Sequence, residues 1–368
     1  MHFILLLNLV VFSRYLNSLG ETLMASDRHD TQNATEPPFT ALLRMIRGFQ
    51  VTQMIYVAAK LGIADSLTDG AKSSNDLAAA TGTHAPSLYR LLRALASLGI
   101  FAEDEQGRFE LTPLAQPLRT GVPGSLRATI LYVGDPMFQQ VWGELLHSIQ
   151  TGENGFQHLY GREAWAHREQ NPELNATFNA YMTEVSTPDA AAVAAAYDFS
   201  GMNKLVDLGG GHGVLIAGIL QANPTLQAIV FDQPHVVSGA QPVLQVAGVS
   251  DRCELVGGDF FTELPGGADG YILKSIIHDW DDAHSILILK NCRQAIQRDG
   301  KLLLVEYVIQ PGNAPQVGKL SDINMLVAPG GKERTEAEYR TLLAEAGFRL
   351  TKVIPIKTSR SIIEAVPV

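Results

Sequence analysis

Between residues 39 and 61, apolar side chains recur at mixed spacings of three and four: Leu42, Leu43, Met45, Ile46, Phe49, Met54, Ile55, Val57 and Ala58. That period predicts a helix, and its apolar face is wide enough to demand a large partner surface. Two shorter helices follow. Ser73 and Ser74 precede the first, over 76–81, which Gly82 stops; Ala85-Pro86-Ser87 opens the second, running through Leu88, Leu91, Leu92, Leu95 and Leu98 to Gly99. Ile100-Phe101, a polar turn over 104–107 and Phe109-Glu110-Leu111 then read as a β-hairpin. Two helices, a tight glycine turn and a hairpin make a winged-helix pattern.

Residues 126–196 form a helical section rich in rings and methionine: Tyr132, Met137, Phe138, Trp142, Phe156, Tyr160, Trp165, Phe178, Tyr181 and Met182. Core packing accounts for most of these, yet rigid rings beside adaptable methionines also suit a pocket for a flat apolar ligand. The alanine-rich run 190–196 favours a connecting helix. After Phe199 the texture changes. Short Val/Ile/Leu runs at 204–208, 227–231, 253–256, 270–274 and 301–308 alternate with helix-length stretches, which predicts a buried parallel sheet covered on both faces. Ligands of such sheets bind outside the carboxyl ends of the strands.

Those ends carry unusual residues. The first reads Asp207-Leu208-Gly209-Gly210-Gly211-His212-Gly213, a turn whose glycines let a ligand approach a helix start. Val214 stands where a dinucleotide fingerprint needs glycine, and no Gly-Lys-Ser/Thr follows to cradle phosphate. Asp232 ends the second strand, where a carboxylate can accept both hydroxyls of a ribose. Asp259 and Phe260 follow the third and can take the amino group and cover the face of a base. Each aspartate alone reads equally well as a helix cap; in series they describe a nucleoside site without phosphates.

Composition narrows the partners. The chain has 368 residues, 46% hydrophobic and 18% charged, enough for about two domains with true cores. Lys and Arg number 28 against 38 Asp and Glu, a net charge of -10 that opposes a wide contact with nucleic acid. The recognition helix of the winged element offers only Arg90 and Arg93, so pairing is expected of it rather than DNA reading. Cys253 and Cys292 lack finger-like spacing, so no disulfide or zinc framework is expected and a reducing, cytoplasmic setting fits. The run Phe3 to Phe12 is too short for the ~20 residues of a membrane span and has no cation before it; residues 1–38 are expected to be a disordered or non-native leader, with Met24 an alternative start. No membrane partner is expected.

The linked motifs resemble the plant-type small-molecule O-methyltransferase family, which uses S-adenosylmethionine and includes caffeate, isoflavone and hydroxyindole enzymes and bacterial secondary-metabolite members. They are the glycine turn, Leu273-Lys274-Ser275-Ile276-Ile277-His278-Asp279-Trp280, Glu306, Asp322-Ile323-Asn324-Met325 and Gly330-Gly331-Lys332-Glu333-Arg334-Thr335. The resemblance runs from Phe39 to the C-terminus. It implies a Rossmann-like class I α/β domain over 199–368 with a mostly parallel seven-stranded sheet, a helical connector and substrate segment over 123–198, and an all-helical winged-helix dimerisation domain over 39–122. A homodimer with interlocked N-terminal helices is implied too, which would supply the partner surface that 39–61 requires.

Residue by residue, the resemblance implies cofactor contacts from Asp207, Gly209, Gly211, Asp232, Asp259, Phe260, Lys274 beside the adenine, and Asp279. His278 matches the base, Glu306 and Glu333 the acids flanking it, and Asn324 and Met325 the border of the acceptor. Met137, Phe138, Trp142, Phe156 and Met182 are the candidate pocket lining, with no Arg or Lys evident in it. An imidazole with an ordinary pKa near 6.5 can take the proton of a phenol as its oxygen attacks a methyl. No divalent-metal cluster is evident. The expected activity is O-methylation of an aromatic hydroxyl, phenazine- or polyketide-like. Decarboxylation or hydroxylation on the same fold is the alternative, and a DNA-binding regulator the remote one.

Overall fold

The computed structural model describes residues 36–368, which form two compact units meeting at Gly134 and Asp135. The expected leader lies outside the described residues except at its last three positions. The division falls inside the 123–198 stretch: the helix Arg127–Val133 belongs to the first unit and the helices from Pro136 onward to the second.

In the first unit the expected single helix over 39–61 is two, Pro38–Ile46 and Gly48–Lys60, separated at Arg47. The first buries none of its residues: Phe39, Leu42, Met45 and Ile46, with Phe49 on the next helix, are each 60–70% exposed. The winged element forms as read, with sharper ends. Ser73 and Asp76 make reciprocal bonds at the start of Ser74–Thr81, so that helix begins two residues early, and Gly82 ends it with φ 65°. Ala85–Ser97 follows with Pro86 in its first turn, burying Leu88, Leu92 and Leu95 against Leu77, Phe101 and Phe109. The wing pairs Phe101–Glu103 with Arg108–Leu111 around a turn whose Asp104 carboxylate accepts the N–H groups of Gln106 and Arg108. Lys72–Ser73 adds a third strand, so the unit is not all helical.

The second unit is built on a seven-stranded sheet in the order Phe348–Pro355, Ser361–Pro367, Lys301–Glu306, Gly270–Lys274, Lys204–Leu208, Gln227–Asp232, Cys253–Gly257. Only Ser361–Pro367 runs against its neighbours. The five predicted runs are all strands. The last of them is shorter than read, because the chain leaves the sheet after Glu306 and Val308–Ile309 pairs instead with Arg334–Thr335 in a small parallel ribbon. Alternate side chains fill two layers. Leu205, Val230, Ile272 and Leu303 face the helix Val214–Ala222, while Val206, Ile229, Leu273 and Leu304 face Asp282–Ala295 and Glu336–Glu345. The 25-residue helix Pro172–Ala196 closes onto the first layer, where a Cβ on Gly218 would stand 3.0 Å from that of Ala190. Among the described residues no helix is long and apolar enough to cross a membrane.

Leu92 is fully buried at the centre of the first unit. Leu92→Ala should destabilise that unit by about 2–5 kcal/mol, seen as earlier unfolding in urea with the transition of the sheet unit unmoved.

Candidate active site

The glycine turn follows Lys204–Leu208 and bends sharply, with φ of 67°, 56° and 72° at Gly209, Gly211 and Gly213. A Cβ on Gly209 would strike Ile276 at 2.3 Å and one on Gly210 would meet Asp207 Oδ2 at 2.8 Å, whereas one on Gly211 would meet nothing within 4 Å. The turn is packed on one side and open on the other. Asp232 serves it directly, since its Oδ2 accepts the Gly211 N–H at 2.8 Å and its Oδ1 that of Gln233 at 2.7 Å. Its carboxylate keeps further lone pairs for a ligand. Asp207 is buried with Oδ2 unpartnered, and burial, then the neighbouring Asp232 charge, pushes its carboxyl up to about 7.

Asp259 is exposed and accepts the Phe261 N–H at 2.9 Å, the capping role that an aspartate at a strand end often plays. Phe260 lies beside the turn, 3.9 Å from a Cβ on Gly209. Lys274 has partners within the protein. Its Nζ bonds Ser186 Oγ at 3.0 Å and lies 3.5 Å from Asp189, which also pairs with Arg360 at 2.8 Å. A buried ammonium must find an anion, and Asp189 supplies it. Burial, helped by Arg360, still lowers Lys274 to about 8.

His278 sits on the short turn Ile277–Asp279 beyond the strand Gly270–Lys274, reached through Ser275 with φ 54°. Glu306, at the end of the adjacent strand, holds that turn: its Oε1 accepts the N–H groups of Ile276 and Ile277, each at 3.0 Å. Its Oε2 stands 3.5 Å from His278 Nδ1. Glu333, carried by the small ribbon, makes the hydrogen bond itself, Nδ1 to Oε1 at 2.8 Å, and is steadied by Ser321 Oγ at 2.7 Å. A carboxylate only accepts, so Nδ1 carries the proton and Nε2 is left on the opposite side, 3.6 Å from Asp279 Oδ1. The two acids thus divide the work: Glu333 orients the ring and Glu306 anchors the backbone beneath it.

Burial favours a neutral ring, but Glu306, Glu333 and Asp279 outweigh it and raise His278 to about 9. The field that orients the imidazole therefore also makes it a stronger base than an ordinary ring near 6.5. Burial in turn lifts Asp279 to about 6, against the opposing charges of His278 and Arg168, and lifts Glu306 as well.

Two supporting residues carry no obvious sign in the sequence. Arg334 is fully buried and donates to the carbonyls of Ile277 and Trp280, each at 3.0 Å, bracketing His278. A Cβ on Gly331 would come within 2.0 Å of the His278 carbonyl oxygen, so the glycine-rich segment lies flat against the turn.

The acceptor candidates divide. Met137, Phe138, Trp142, Met182 and Asn324 are half-buried, and Met325 is buried. Phe156 packs into a core with Val141, Ala164 and Val327, a structural place rather than a lining one. Asn324 Oδ1 accepts the Trp142 indole N–H at 3.1 Å, tying two helices together and leaving its amide nitrogen and a second lone pair for a ring substituent. Sequence reasoning saw no cation here. Arg168 is one, buried with its guanidinium 4.0 Å from the Phe178 ring and 4.6 Å from that of Trp165, which stacks on Trp280. Nor did it anticipate two groups able to converge on a metal ion, His278 with Glu306 and Glu333, and His147 with Glu153 and His158.

The O-methyltransferase domain model matches residues 142–349 and the O-methyltransferase dimerisation domain model residues 43–121. A phenazine O-methyltransferase, PhzM, of Lysobacter antibioticus is 46% identical over 90% of this chain and 97% of its own. The crystal structure of LaPhzM superposes with a TM-score of 0.88 at 46% identity, covering 90% of this chain and 100% of that one. An O-methyltransferase of neocarzinostatin biosynthesis, NcsB1, solved with S-adenosylmethionine and 2-hydroxy-5-methyl naphthoic acid, superposes at 0.78 with 33% identity, covering 91% and 100%. Two further relatives are named as N-methyltransferases. With the sheet, the glycine turn and both family domains in place, the chain belongs to the S-adenosylmethionine-dependent O-methyltransferase family.

Proposed function

We propose that this enzyme methylates a phenolic hydroxyl of an aromatic secondary metabolite, phenazine- or polyketide-like, with His278 as the general base. The observation that carries the reading is the 2.8 Å bond from His278 Nδ1 to Glu333, which commits one ring nitrogen and leaves Nε2 as the nitrogen that could take a proton. When bound, S-adenosylmethionine supplies an electrophilic methyl on a cationic sulfur. The residues suit it: Gly211 leaves open space beside the turn, and Asp232, which accepts the Gly211 N–H, keeps lone pairs for a diol. Phe260 can cover the base, while the part played by Asp259 rests on its backbone-capped carboxylate turning outward.

A phenol ionises near 10. An imidazole at about 9 is closely matched to it, so transfer to Nε2 is nearly level, where an unshifted ring would face a steep climb. Glu333 and Glu306 hold the resulting imidazolium. The cost is occupancy, since only about one ring in a hundred is neutral at pH 7. A hydroxyl needs this base; an amine or ring nitrogen with a free lone pair does not, which favours oxygen over nitrogen as the acceptor atom. Trp142, Met137, Met182 and Met325 offer apolar faces to hold a flat ring in line with the methyl, where alignment supplies much of the rate.

The reading includes a homodimer formed through the N-terminal helices. The exposed row Phe39, Leu42, Met45, Ile46 and Phe49 and the match to the dimerisation domain support it.

His278→Ala should lower kcat on a hydroxyarene panel by about 10²–10⁴-fold while S-adenosylhomocysteine binding, read by calorimetry, holds; equal turnover by both proteins overturns the base assignment, and product other than a methyl ether supports decarboxylation or hydroxylation. A second expectation concerns pH. Because the neutral ring is the active form and its pKa is raised, acceptor kcat/KM should climb from pH 7 toward 9. In Glu333→Gln, which removes one of the charges that raise it, the climb should shift to lower pH with a reduced plateau. A flat profile from pH 6 to 9 in the wild type counts against the reading. Sedimentation should show a dimer insensitive to salt, and Phe39→Glu with Met45→Glu should release monomers; a monomeric wild type contradicts the pairing.

A further inference from the structure

Away from the cluster around His278, a second group of side chains has the makeup of a metal site. His147 lies on the helix Leu145–Thr151, Glu153 in the turn after it, and His158 on the helix Gly155–Tyr160. One atom from each, two ring nitrogens and a carboxylate oxygen, lie within 4.8 Å of one another. His147 Nε2 is 2.9 Å from Glu153 Oε2, and His158 Nδ1 is 4.0 Å from the same oxygen. His158 Nε2 lies 3.7 Å from Glu144 Oε2, so a second carboxylate is at hand. The two imidazoles stack with centroids 3.6 Å apart and planes 19° from parallel.

We infer that His147, Glu153 and His158 bind a divalent transition-metal ion of the zinc type. Two neutral imidazoles and a carboxylate are borderline donors that favour zinc, cobalt, nickel or copper over magnesium or calcium. Zinc takes such atoms at about 2.0–2.2 Å in a tetrahedron, and Glu144 or water can complete the fourth place. Stacked rings point their lone pairs side by side, so one ring must swing for both to converge. The His158 side chain is 46% exposed, and its swing disturbs no core packing. All three ligands come from residues 147–158, two short helices and the turn between them, so the chelate closes without a large ordering cost.

The place of this turn gives the ion a consequence. Asn154, next to Glu153, caps the second helix through Oδ1 at 2.7 Å from the Gln157 N–H, and its amide nitrogen would stand 2.8 Å from a Cβ on Gly330. Gly155 packs equally closely, a Cβ there falling 3.1 Å from the Val141 carbonyl oxygen and 3.4 Å from that of Val327. Gly330 adjoins Gly331, against which the His278 turn rests. An ion clamping 147–158 would stiffen the support of that segment. This inference stands apart from the proposed methyl transfer and does not depend on it.

The test uses the full, untagged chain stripped with a chelator, titrated with ZnCl2 by calorimetry and with CoCl2 by visible absorption. The wild type should bind zinc at this site, raise its thermal midpoint on binding, and give the intense cobalt bands of a tetrahedral nitrogen and oxygen set. His147→Ala and His158→Ala should each weaken binding by at least roughly the tenfold that loss of an outer partner already costs, and His278→Ala should leave it unchanged. Glu153→Gln, which preserves shape, should weaken it as well. Zinc binding untouched by the His147 and His158 changes, or abolished by His278→Ala, overturns the inference, as does a wild type that binds no ion.

Discussion

Everything in the catalytic unit turns on keeping one buried imidazole among three carboxylates. Isolated, such a ring would shed its proton to escape burial; here fixed negative charge reverses that preference. The reversal requires that the acids stay charged and placed, and two of the three are tied down by something other than the histidine. Glu306 takes two backbone N–H groups of the turn that presents the ring, and Glu333 takes the Ser321 hydroxyl. Arg334 completes the frame from outside, gripping the carbonyls on both sides of His278 and the Asp282 carboxylate at 2.9 Å. The base strength of the ring is thus a property of the backbone around it as much as of the acids.

The sheet makes this assembly economical. Its central strands end at one level, so residues far apart in sequence, Gly209, Asp232, Ser275 and Glu306, arrive at one edge without long side chains reaching for each other. Ile276 links the two halves of that edge, since it fills the space under Gly209 while its N–H is held by Glu306. A disturbance of the His278 turn would therefore be felt at the glycine turn, and the reverse. Lys274, one residue earlier than Ser275, joins the Asp189 and Arg360 group and ties the strand end to the helix Pro172–Ala196.

Much of this was legible from the chain alone, for reasons that separate what was seen from what was missed. Four of the five predicted strands announce themselves because both their faces are buried, which leaves nearly uninterrupted apolar runs; the fifth, Cys253–Gly257, lies half-exposed at the sheet edge and shows only through its short apolar stretch. The terminal pair Phe348–Pro355 and Ser361–Pro367 carries Arg349, Lys352 and Glu364 and gives no such signal; only the resemblance implied seven strands. The break at Arg47 was invisible because apolar residues continue at helical spacing on both sides of it. Asp232 was singled out by its position at a strand end, whereas His278 stood out only through the family resemblance. The protein partners of Lys274 could not be read, because a position says where a side chain starts and not which partner it finds, and Asp189 lies 85 residues earlier on a helix that looks like a mere connector. Gly331 and Arg334 were quoted as parts of a motif, but their service to the His278 turn depends on a close approach of two distant segments that no local pattern encodes.

The small parallel ribbon has a last implication, for fidelity of folding. Arg334 pairs with Val308 and Thr335 with Ile309, and this alignment sets which side chain stands next to the imidazole. The residues on either side of Glu333 are Lys332 and Arg334. A slip of a single position in either direction would bring a cation to the ring in place of an anion. Two-residue strands hold register weakly by hydrogen bonds alone, yet here a misaligned ribbon would set like charge against a buried imidazolium. The electrostatics of the site thereby proofread the pairing that creates it.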